Sequence, residues 1–122
     1  KSNHTGNRAK QTKKEIRRQR SDIIAQRSKA VKPLQNRISR LENDIENREA
    51  ELSSLNESMQ QASQNQDGPK IEELSLAIHT CQTAIDRLFD ELEEVSNEFD
   101  SRSAVFEEQL QKLTSDLADG NS

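Results

Sequence analysis

Two runs of apolar residues, each spaced in alternating three- and four-residue steps, constrain this chain more than any other feature. The first reads Val31, Leu34, Ile38, Leu41, Ile45, Arg48, Leu52, Leu55, Met59, Ala62. The second reads Ile71, Leu74, Ile78, Cys81, Ile85, Leu88, Leu92, Val95, Phe99, Arg102, Phe106. Sustained spacing of this kind puts one apolar stripe along a helix and requires a second helix to cover it. The repeat stops in the stretch QASQNQDGPKIEEL, residues 61–74, where Ala62 is the only apolar side chain between Met59 and Ile71. The stretch is either a linker between two rods or the tip that folds one rod back on the other. Asp67-Gly68-Pro69 reads as a turn feeding a helix start, with Asp67 or Gly68 as cap and Pro69 in the first turn. A gap this short suits antiparallel neighbours, and closing it costs little entropy. Folding near residue 66 sets Ala62 by Ile71, Leu55 by Ile78, Ile45 by Leu88 and Val31 by Arg102.

The expected fold is therefore all-α, a two-helix antiparallel coiled-coil hairpin. It has a disordered basic tail at 1–11, helix 12–64, polar tip 65–68, helix 69–118 and a tail at 119–122. The alternative is a helix pair that covers its stripes with a second chain; the monomeric hairpin is preferred. Thr12-Lys13-Lys14-Glu15 has the form of a capping box, which starts the first helix. Ile16, Ile23 and Ile24 extend the stripe toward it less regularly. Leu110, Leu113 and Leu117 follow Phe106 after a one-residue slip, and Asp119-Gly120 is a candidate stop. Pro33 removes a backbone hydrogen bond and crowds the carbonyl of Lys29, so a kink, a 3₁₀ turn or a break is expected near residues 28–33.

Composition agrees with a rod rather than a globule. The 122 residues are 33% charged and 30% hydrophobic, with three Phe as the only aromatic residues, too little bulk for a thick core. No stretch has the apolar length of a membrane span or signal segment, so no membrane partner is expected. The lone Cys81 excludes an internal disulfide framework and suits a reducing, cytoplasmic setting. The net charge of −4 hides a division: residues 1–40 carry 13 Lys or Arg and 2 acids, whereas residues 41–122 carry 5 Lys or Arg and 20 acids. Asymmetry of this size points to a polyanion partner or to internal pairing.

The basic arm supplies the candidate site: Lys10, Lys13, Lys14, Arg17, Arg18, Arg20, Arg27, Lys29 and Lys32, with Arg37 and Arg40 beyond. Lys13, Arg17 and Arg20 share a helix face, with Lys14 and Arg18 beside them. Such a row can track phosphates through counterion release. Without aromatic platforms it is unsuited to stacking single-stranded bases, so duplex or structured nucleic acid, DNA or ribosomal RNA, is the expected partner. Against this stands pairing of the arm with acids of the return helix, between residues 93 and 119. A structural or adaptor coiled coil, mediating protein contact or dimerisation, is the alternative function. No catalysis is expected: His79 falls on an exposed position, Cys81 on the core stripe, no His pair has metal spacing, and the acids form solvated rows. Arg48 and Arg102 interrupt the stripes. They read as snorkelling side chains paired with carboxylates such as Asp44, Glu51 or Glu98, or as a contact site.

The basic stretch KEIRRQRSDIIAQRSKAVKPLQNRISRLENDIENREAELSSLN enters Lys32-Pro33-Leu34. An acidic stem, a tip with Asp67-Gly68-Pro69 and an acidic return arm follow. This order, over roughly residues 10–117, resembles the C-terminal coiled-coil extension of the ABC-F ATPases of the Uup-like type. The return arm has only Phe89, Phe99 and Phe106 where that group often has an aromatic-rich segment. The resemblance implies a cytoplasmic parent whose ATPase cassettes lie upstream and bind ATP and Mg, and which acts on ribosomes or nucleic acid with this extension assisting. The chain itself has no phosphate-binding glycine loop; its three Gly stand at 6, 68 and 120, and no cofactor is expected here.

Overall fold

A computed structural model describes residues 12–121, with side chains for 12–118. The expected tail at 1–11 lies outside the described residues. Two helices make up the fold, α1 over Lys13–Gln64 and α2 over Gly68–Asn121, packed antiparallel against each other. α1 starts at Thr12, whose Oγ1 accepts from the Glu15 amide at 3.1 Å and whose hydroxyl donates to Glu15 Oε1 at 3.1 Å. The carboxylate thus reaches the cap's hydroxyl rather than the backbone amide that a full capping box uses.

The reversal takes three residues, one fewer than the expected 65–68. Gln66 adopts a left-handed conformation with φ 52°. Its amide donates to the Ser63 carbonyl at 3.1 Å, and the Asp67 amide donates to the Ala62 carbonyl at 3.0 Å. Those two bonds close the open carbonyls at the end of α1. Asp67, not Gly68, caps α2: its Oδ1 accepts from the Lys70 amide at 3.2 Å and its carbonyl from the Ile71 amide at 2.9 Å. Gly68 becomes the first helical residue.

Of the kink, 3₁₀ turn or break expected near Pro33, the last two do not occur, and the stop expected at Asp119-Gly120 lies inside α2. α1 runs as α-helix through residues 28–33 and past Pro33, with neither a 3₁₀ turn nor a break. The proline is exposed while Val31 is buried and Leu34 half-buried, so packing holds the helix on both sides of the missing bond. At the other end α2 continues through Asp119-Gly120 to Asn121; glycine lowers helix propensity without forbidding it.

The chain divides into two compact units. One joins residues up to 35 with those from 97 onward; the other is 36–96. In the 36–96 unit the stripe is buried as the heptads predict, at Leu41, Ile45, Ala62, Leu74, Cys81, Ile85 and Val95. Cys81 is the most enclosed, and its thiol donates to the Arg48 carbonyl on α1 at 3.2 Å. The other unit departs from the expected register. Its buried or half-buried positions on α2 are Phe99, Ser103, Phe106, Leu110, Leu113 and Leu117, while Arg102 is exposed. Two successive four-residue steps, Val95 to Phe99 to Ser103, place the slip about two turns earlier than the sequence suggests. On α1 the same unit encloses Ile16, Ile23, Arg27, Ala30 and Val31 at least in part, and turns Ile24 outward. Ala30 on α1 and Ser103 on α2, both small, are half-buried in this unit. Among the described residues no helix is long and apolar enough to cross a membrane.

Candidate nucleic-acid interface

α1 carries the predicted cations on one continuous helical segment. Lys13, Lys14, Arg17, Arg18, Arg20, Lys29 and Lys32 are exposed, and Arg27 is half-buried beside the seam. Lys10 lies outside the described residues. From Lys13 to Lys32 the segment rises about 28 Å at 1.5 Å per residue. Lys13, Arg17 and Arg20 fall three and four residues apart on one flank, and Lys14, Arg18 and Lys32 project from the outer side, so cations occupy roughly half the circumference.

The competing arrangement, in which the return helix consumes this charge, would show ion pairs across the seam. Among the described residues none of these eight cations has a carboxylate within 4.0 Å. The ion pairs present fall elsewhere. Arg37 reaches across to Glu91 in the 36–96 unit. Arg48 pairs with Glu51 at 3.0 Å, Lys70 with Glu73 at 3.9 Å and Arg102 with Glu98 at 3.1 Å, all within one helix. Arg48 and Arg102 therefore snorkel to carboxylates of their own helices, with side chains about half exposed. On α2 the acids Asp100, Glu107, Glu108 and Asp116 are exposed. They lower the potential around the arm without binding any one cation to a fixed partner.

Chemistry beyond charge is sparse in the described residues. No three His, Cys, Asp or Glu side chains are grouped to hold a metal ion. A surface trough of about 600 Å³ in the 36–96 unit is lined by Asp44, Arg48, Glu51, Arg87 and Glu91 among others, with charges of both signs. A smaller one of about 250 Å³ lies between Gln19, Ile23, Lys112 and Asp116 in the other unit. Sequence reasoning missed the apolar member of the basic face. Counting heptads back from Val31 puts Ile24 on the seam, yet it is 45% exposed amid the arginines. The adjacent pair Ile23-Ile24 leaves either residue able to face inward, and periodicity alone does not choose between them.

Comparisons with family models, with curated proteins and with solved structures find no match to this chain.

Proposed function

We propose that this chain binds nucleic acid, gripping DNA or structured RNA phosphates with the basic arm of α1, as the coiled-coil C-terminal domain of a cytoplasmic ABC-F (Uup-like) ATP-binding protein. One observation carries the binding: the cations of residues 13–32 stand without contact ion pairs among the described residues, seven of them exposed. A cation already held by a carboxylate must break that pair to meet a phosphate; these need not. The link to the ABC-F parent rests on the basic entry into Lys32-Pro33-Leu34 and on the order of arm, stem, tip and return arm. In that reading ATP chemistry belongs to cassettes upstream in the parent, and this domain contributes binding without catalysis.

The test is fluorescence-anisotropy titration of labelled linear duplex, branched DNA and a structured RNA over a salt series. A phosphate grip made by four to six of these cations gives a log–log salt slope of about −4 to −5 on duplex DNA. Reversing Lys13, Lys14, Arg17 and Arg18 to Glu abolishes the binding while circular dichroism still reports a helical protein. Wild type that is helical yet binds nothing at low salt ends the proposal and leaves the adaptor role.

A further inference from the structure

Ile24 is the one large apolar side chain in the basic face, and its surroundings set it apart from the other exposed apolar residues, Leu76, Phe89 and Val105 on α2. Arg17, Arg20, Ile24 and Arg27 follow one another at helical spacings of three, four and three residues. At about 100° per residue, Arg20 and Arg27 border Ile24 on the seam side and Lys14 and Lys32 on the outer side, with Ser21 and Ser28 between. A polyanion held by these cations must cover the isoleucine. Isolated exposed apolar residues are ordinary; here the neighbouring charges define what covers it.

Resting on the phosphate-binding reading above, we propose that Ile24 is a base contact: the 13–32 segment of α1 lies in the major groove of duplex DNA, and Ile24 packs on thymine 5-methyl groups. An α-helix about 10–12 Å across fits the roughly 12 Å major groove of B-form DNA. The deep, narrow major groove of duplex RNA does not admit it. Cations on both sides of Ile24 then meet the phosphates of the two strands, and the apolar tip between them points at the groove floor. The one methyl presented there is that of thymine, and apolar contact with it is an established mode of reading A·T pairs. With roughly half its surface still covered, Ile24 protrudes too little to wedge between base steps.

The experiment pairs two A·T-rich duplexes of one sequence, one with thymine and one with deoxyuracil, which differ in the 5-methyl group alone. The full chain and its Ile24→Ala variant are titrated with both over the same salt series. Wild type is expected to bind the thymine duplex about threefold to fivefold more tightly for each methyl group buried. Ile24→Ala is expected to bind both duplexes alike with an unchanged salt slope, because no charge has been removed. The cycle of two proteins and two duplexes cancels any difference in DNA stiffness. Equal, salt-sensitive binding of both duplexes by wild type overturns the methyl contact and leaves the phosphate grip standing. A thymine preference that persists in Ile24→Ala also overturns it. No binding of either duplex overturns the methyl contact, and the phosphate grip falls with it where the structured RNA also stays unbound.

Discussion

At single residues the molecule carries identifiable imperfections, and each has a measurable consequence. Gln66 holds a left-handed backbone that glycine adopts freely. Gln66→Gly is expected to raise stability by about 0.5–1 kcal/mol in urea unfolding; a loss would show that the Gln66 side chain does something the backbone geometry does not explain. Ser103 places its hydroxyl in the seam, buried and without a hydrogen-bond partner among the described residues. Ser103→Ala is expected to gain about 1 kcal/mol, the cost of an unsatisfied polar group, and a thermal melt that falls instead would contradict that account. The sequence made the caps legible, because Thr12 with Glu15 and Asp67 before Gly68-Pro69 act through local bonds. It did not reveal Ser103 or Ile24. Their inward or outward choice depends on where two helices shift register together, and a single stripe carries no record of its partner's shift.

For whole elements, the heptad pattern located both helices because their length gives the period many repetitions. At Pro33 the pattern prevailed over a local rule, since the 3₁₀ turn or break expected there does not occur. Proline costs roughly 3 kcal/mol in a helix interior relative to alanine, and α1 accepts it without changing helix type. Packing of Val31 and Leu34 therefore offsets the local penalty. Pro33→Ala is expected to stabilise the protein by about 2–3 kcal/mol with little change in helical circular dichroism, since the helix is already formed there. A large rise in helicity would mean that the helix is interrupted near Pro33 in solution. The basic face was readable in the same way: helical spacing gathered Lys13, Arg17 and Arg20 from sequence alone, whereas their lack of ion pairs among the described residues required positions for the acids of α2.

For the whole molecule, charge and order of assembly matter together. The chain has 13 of its 18 Lys and Arg residues in its first 40 positions, so a polyanion meets unlike surfaces at its two ends in sequence. The three-residue reversal has a second consequence, for the order in which the chain assembles. Ala62 and Ile71 are separated by nine positions in the sequence, whereas Gln19 and Asp116, which line one trough, are 97 apart. Loop-closure entropy makes the distant pairing costlier by about 2 kcal/mol if it forms first. The helices should thus close from the turn outward, and the arm proposed to hold nucleic acid joins last. Amide hydrogen exchange is expected to be slowest over 45–62 and 74–85 and fastest over 13–27; the reverse ranking would show that assembly begins at the termini. A segment that closes last also opens first, so the part of the chain proposed to grip a ligand is the part whose opening costs the remainder least.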